Sequence, residues 1–250
     1  MLQNPFANLT PVVKNLLLLN VVFYIAAYVF GHAGIFDMDG ALAAYYPGSP
    51  KFRMWQIITY MFMHAPPGNG IGLAHIFFNM FALVSFGPII EQTIGDKRFF
   101  LYYFICGLGA LACQIAVQAF EIYSVTGHLF VPGVTLENMA TYAPYLGYSE
   151  AGIMKLAGVY NVGLVGASGA IFGVLVAFGM LYPDLELMVI PIPVPVKAKY
   201  LIPVYIVIEL YLGFKQFAGD SVAHTAHLGG ALIGFILIKT WGYSRRDRYY

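Results

Sequence analysis

Charge is what this chain has least of. Asp, Glu, Lys and Arg make up only 10% of its 250 residues, and 60% are hydrophobic. An ordinary soluble domain is about 25% charged and about 45–50% apolar. So little charge cannot clothe a water-facing surface, which excludes a typical soluble globule and indicates a membrane protein. The net charge of +1 supplies no field that would gather a polyanion, so no nucleic-acid partner is expected. Cysteine is scarce as well: Cys106 and Cys113 are the only two. Seven residues apart on a helix, they would stand roughly 10 Å apart along its axis, too far for a disulfide. Both are expected to be free thiols acting as small apolar side chains. The HExxH zinc motif is missing, and no metal or cofactor is expected. There is no internal repeat and no soluble domain, so residues 1–250 are expected to form a single membrane domain.

The apolar runs can be read directly. A spanning helix needs about 20 mostly apolar residues, and six segments qualify: Val12–Phe30, Ile71–Ile90, Phe99–Phe120, Val162–Leu181, Tyr200–Phe217 and Val222–Trp241. The expected fold is an all-α, polytopic bundle of six transmembrane helices, with the first span retained and not cleaved as a signal. The N-terminal side of such a bundle carries Lys14, Lys97, Arg98, Lys197, Lys199, Lys239, Arg245, Arg246 and Arg248. The other side carries Lys51, Arg53, Lys155 and Lys215. That bias places both termini in the cytoplasm, with a bacterial inner membrane as the simplest location. The stretches 31–70 and 121–161 then lie outside. Part of "KFRMWQIITYMFMH" in the first is expected to lie on the outer leaflet. "HAPPGNGIG" is a turn-rich approach to the second span. The prolines of "PDLELMVIPIPVPVKAK" forbid a helix and predict an extended inner connection.

Against this background, polar residues within spans are costly and mark functional candidates. His75 and Asn79 are four apart in the second span and share a helix face. Ser168 lies in "GASGAIFG" of the fourth, Glu209 in the fifth, and His224 and His227 in "AHTAHLGGALIG" of the sixth. His227, Gly230 and Gly234 fall on one face, so the sixth helix can approach a neighbour closely and present an imidazole to it. Gly169 and Gly173 give the fourth helix a matching strip. Counted from the outer ends of their spans, His75, Ser168 and His227 lie four to six residues in, roughly 6–9 Å deep at 1.5 Å per residue.

A serine and a histidine at one depth suit nucleophilic catalysis. The hydroxyl needs a base within hydrogen-bond reach, and a neutral imidazole can supply it. The Ser168 N–H, the Asn79 amide and a His75 ring N–H are candidate donors to an oxyanion. No carboxylate stands where it would obviously complete a triad, so a Ser168–His227 dyad is expected. His224 beside His227 could suggest a metal pair, but stabilising the outer end of its helix is the favoured role. For Glu209 an interhelical hydrogen bond is favoured over a proton relay or ion site.

At these residues the sequence resembles the rhomboid family of intramembrane serine proteases. "GASG", "HIFFN" and "AHLGGALIG" match the family's GxSG, HxxxN and AHxxGxxxG patterns in order, and the six-span layout extends the likeness over nearly the whole chain. The resemblance implies Ser168 as nucleophile, His227 as base, and Asn79 with His75 at the oxyanion. It also implies a fourth helix starting deep beneath an aqueous cavity, and a fifth that moves aside for single-span substrate proteins. Phe172 stands where some relatives have Tyr, the gap from His64 to His75 is longer than in compact members, and the 121–161 loop is long. The competing readings are a small transporter or channel, which should show repeats with broken helices, and a non-catalytic relative, which should have lost Ser168 or His227. Other intramembrane proteases fit poorly, because "TIGD" and "FAGD" both lack the first glycine of the aspartyl-type GxGD.

Overall fold

A computed structural model of the chain describes residues 9–66, 71–129, 131, 147–189, 192–215 and 223–243. It consists mainly of helices: α1 (Pro11–His32), α2 (Met38–Leu42), α3 (Gln56–Thr59) continuing into a 3-10 turn (Tyr60–Phe62), α4 (Ile71–Ile94) and α5 (Asp96–Thr126). These are followed by α6 (Glu150–Asn161), α7 (Ser168–Leu181), α8 (Ala198–Lys215) and α9 (His224–Thr240). Between α7 and α8, β1 (Glu186–Val189) and β2 (Ile192–Lys197) pair antiparallel, with Glu186 opposite Lys197. This is the proline-rich connection, extended as expected but also folded back as a hairpin.

Each of the six expected spans contains one helix. Among the described residues, however, only α1, residues 72–94 of α4, and α5 are long and apolar enough to cross a membrane. The helices α7, α8 and α9 have 14, 18 and 17 residues. Residues 67–70 of the turn-rich approach, Val222, the end of the fifth span, and Arg245, Arg246 and Arg248 lie outside the described residues.

The fourth span is corrected at its beginning. Helix α7 starts only at Ser168, and the six residues before it are not helical. Leu164 exchanges two backbone hydrogen bonds with Ala44, and the Gly166 N–H donates to the Tyr60 carbonyl at 3.0 Å. Non-helical backbone buried within a membrane protein needs such partners. Gly166 has φ +129° and Gly163 lies against Ala43 and Tyr45, two conditions that side-chain-bearing residues would not meet. The depth of Ser168 therefore cannot be counted at 1.5 Å per residue from Val162.

Helix α7 is the hub. Eleven of its residues are buried, as expected of a helix apolar on all sides, and it packs on α4, α5, α8 and α9. The peripheral helices turn large apolar side chains outward, among them Val22 and Ile25 on α1, Phe77, Phe78 and Phe81 on α4, and Val207 and Phe214 on α8. A belt of this kind is a liability in water and matches hydrocarbon. In the stretch 31–70, Met54 and Trp55 are exposed, whereas Tyr60, Met61, Met63 and His64 are buried in the protein. Only the front of "KFRMWQIITYMFMH" can therefore lie on a bilayer surface.

The 121–161 stretch is partly helical. Helix α5 continues to Thr126, and α6 is capped by the Ser149 hydroxyl, which accepts from Gly152 N–H at 3.1 Å. Its Leu156, Val159 and Tyr160 form a small cluster with Ile122 and Tyr46. Cys106 and Cys113 are both free, as expected, and Cys113 is only partly buried.

A carboxylate that the sequence did not single out fastens α1. Glu91, fully buried, accepts from Thr10 Oγ1 at 2.5 Å and from the backbone N–H groups of Val12 and Val13, both at 2.9 Å. It thereby satisfies N–H groups that an α-helix leaves unpaired at its start and places negative charge at the positive end of the helix dipole. Glu91→Ala should destabilise the protein by about 2 kcal/mol, measurable as a lower thermal unfolding temperature in detergent micelles.

Candidate active site

Helices α7 and α9 meet through glycine. A Cβ built on Gly230 would fall on the carbonyl oxygen of Gly169, and one on Gly234 would lie 2.7 Å from the Gly173 Cα. This contact brings the two candidate groups together: Ser168 Oγ lies 2.8 Å from His227 Nε2. The imidazole is stacked on Phe172, with centroids 4.4 Å apart and planes 10° from parallel. Phe172 is four residues beyond Ser168, on the same face of α7. Hydroxyl, ring and its aromatic backing are thus set by one helix pair.

Ser168 is the first residue of α7. Its own backbone N–H is among those a helix start leaves without an intrahelical acceptor, and the dipole there favours negative charge. His75 faces the same spot. A side chain on Gly166 would lie 3.1 Å from His75 Nε2 and 3.3 Å from Ser168 Oγ. His75 Nδ1 accepts a long hydrogen bond, 3.4 Å, from the Ala65 N–H. The ring proton then belongs on Nε2, which can donate into the site. Asn79 lies one turn along α4 and donates one amide N–H to the His75 carbonyl at 2.9 Å.

His64 packs edge-on against His75, with centroids 5.1 Å apart. Burial, reinforced by His75, pushes its imidazole down to about 3, so it is neutral at ordinary pH. Neither of its ring nitrogens has a hydrogen-bond partner among the described residues; it fills space beside the site and does not bond to it.

All of these groups line one cavity of about 1500 Å³. Besides these polar groups the lining includes apolar side chains of both α4 and α8, among them Phe78, Phe81, Leu201 and Ile202.

One expectation is overturned. A carboxylate does reach the imidazole: Glu209 Oε2 lies 2.9 Å from His227 Nδ1 and 2.6 Å from His224 Nδ1. Glu209 is 4% exposed. The favoured interhelical hydrogen bond is present, and one of its two partners is the catalytic candidate itself. A signal was available, since Glu209 and Gly213 lie on one face of α8 and Gly213 lets α8 approach His224 closely. Helix α8 therefore meets α9 at its two histidines.

Glu209, His224 and His227 also have donor atoms within 4.8 Å of one another, which suits a metal by composition. The spacing argues otherwise. Ligands bound to one tetrahedral zinc at about 2.0–2.1 Å stand about 3.3 Å apart. The Glu209 oxygen is 2.6 and 2.9 Å from the two nitrogens, which are hydrogen-bond separations.

The Rhomboid domain family matches residues 51–244. Over 98 residues the chain is 30% identical to "Putative rhomboid protease YdcA" of Bacillus subtilis, a match covering 39% of this chain and 46% of that protein. It is 26% identical over 193 residues to "Rhomboid protease GluP" of the same organism, covering 75% of this chain and 26% of the relative. It is 29% identical over 187 residues to "RHOMBOID-like protein 1" of Arabidopsis thaliana, covering 75% and 34%. The chain thus spans less than half the length of each of these relatives.

Proposed function

This chain belongs to the rhomboid family, and on that premise we propose that it is an intramembrane serine endopeptidase acting through Ser168 and His227. Ser168 Oγ attacks the scissile carbonyl while its proton passes to His227 Nε2. The resulting tetrahedral oxyanion is held by the Ser168 N–H, His75 Nε2–H and the Asn79 amide. The proton moves from His227 to the leaving amine as the C–N bond breaks, and water repeats the sequence on the acyl-enzyme. The observation that carries this reading is the 2.8 Å approach of hydroxyl and imidazole within a cavity.

Substrates on this reading are single-span membrane proteins cut in or near their membrane segment. The apolar side chains that α4 and α8 contribute to the lining of the cavity support it, because they suit a hydrophobic segment held beside Ser168. We further propose six crossings with both termini cytoplasmic. The extended residues before Ser168 complete the fourth crossing, and the cavity opens outward. The test is cleavage of a single-span reporter by purified protein in liposomes, which a non-catalytic relative or a transporter would not perform. Within this mechanism, Asn79→Ala should lower kcat by about 100-fold with little change in KM. An unchanged kcat would remove Asn79 from the oxyanion site.

A further inference from the structure

We propose that Glu209 is the positioning residue for His227, gripping its Nδ1–H so that Nε2 is kept as the lone-pair face toward Ser168, with His224 as the second clamp on the same carboxylate. The inference rests on the protease reading of the site and adds a member to it. Three residues on two helices carry it: the carboxylate from α8, and both imidazoles from the first turn of α9.

The chemistry follows from donors and acceptors. A carboxylate can only accept, so each ring nitrogen that approaches Oε2 at 2.9 and 2.6 Å must donate. His227 therefore carries its proton on Nδ1. Its Nε2 is left as the acceptor for the Ser168 hydroxyl 2.8 Å away. When that proton arrives as the Oγ–C bond forms, the imidazolium has a positive charge beside the Glu209 carboxylate. The charge disappears when the proton moves on to the leaving amine. Glu209 never takes the proton; it orients the ring and stabilises the ion, the part played by the acid in a Ser–His–Asp triad.

His224 gives the carboxylate a second anchor. It is 7% exposed and its ring stands edge-on to that of His227, with centroids 6.2 Å apart. With Phe172 stacked on one face of His227 and Glu209 at its Nδ1, the ring has little freedom left. Because Glu209 comes from α8 and both imidazoles from α9, displacement of α8 would loosen the base.

The test compares Glu209→Gln and Glu209→Asp with the parent, in detergent and in liposomes, on a single-span reporter. Glu209→Gln keeps size and hydrogen-bonding capacity but loses the charge, and its amide can donate to Nδ1 and fix the wrong tautomer. The expected result is a kcat lower by about 100-fold with KM changed less than about threefold. Glu209→Asp, which restores the charge, should recover at least about tenfold of that loss. A merely structural tie between α8 and α9 would instead lower thermal stability in both variants and leave the kcat of folded protein near the parent's. A Glu209→Gln enzyme with parental kcat overturns the proposal.

If that variant does not fold, the parent decides. Nitrogen NMR of histidine-labelled protein, with the His227 signal assigned by its loss in His227→Ala, should show Nδ1 protonated. Protonation on Nε2 would overturn the proposal. A parent that neither cleaves the reporter nor reacts with a fluorophosphonate at Ser168 sinks the protease reading instead, and the NMR result still judges the orientation of the ring.

Discussion

Ser168→Ala is expected to abolish reporter cleavage, lowering turnover by at least about 10⁴-fold, and to abolish labelling by a fluorophosphonate probe, while the protein stays folded. Ser168 Oγ lies beside an imidazole whose other nitrogen is held by a carboxylate. Removing one oxygen atom takes away the atom that would be acylated and a single hydrogen bond between α7 and α9, while the glycine seam that joins the two helices stays. Ala170, two residues on, is already a buried alanine in α7, and alanine is the best helix former. Labelling of the parent with none in the variant identifies an acylating serine without knowledge of any natural substrate. Equal labelling of the two proteins, or retained cleavage by Ser168→Ala, would refute the proposed nucleophile. His227→Ala should give the same loss of labelling, because without its base the hydroxyl is a poor nucleophile.

The second large effect is expected at a residue with no chemistry. Gly230→Ala should destabilise the protein by about 3 kcal/mol or more and lower turnover of whatever folds by about 100-fold or more. The added methyl would fall on the Gly169 carbonyl oxygen, which is helix backbone and cannot rotate aside. Helix α9 must then move off α7, and His227 moves with it, away from Ser168. Displacements of about 1 Å are enough to cost about two orders of magnitude in rate. Gly31→Ala is the matched control, since a Cβ there meets nothing within 4 Å, and it should leave both stability and turnover near the parent's. Thermal unfolding in micelles and kcat on the reporter read the two effects separately. Parental values for Gly230→Ala would mean that the seam is not a close backbone contact.

Much of the site was legible because its determinants are local. The four-residue spacing of His75 and Asn79, and the run of His227, Gly230 and Gly234, each describe a single helix face, and helical periodicity suffices to read a face. The glycine strips on the fourth and sixth spans announced a close approach, and that approach is present. The beginning of α7 was not legible. "VGLVGA" has the apolar composition of a helix, and its extended form is stabilised by Ala44 and Tyr60, residues more than a hundred positions earlier. Glu91 was missed for the same reason, since the helix start it caps lies about 80 residues away.

Composition, periodicity and motif spacing by themselves determined that this protein belongs in lipid, that it is built of helices, and which serine and histidine to watch. Each of those properties is encoded within one segment, by hydrophobicity or by the pitch of a helix. Only the tertiary structure decided that Ser168 opens its helix, that one cavity gathers His75, Asn79 and His227, and that Glu209 holds the histidine that faces the serine. Those are relations between segments, fixed by where α7, α8 and α9 come to rest against one another, and no pattern within a single stretch of chain records them.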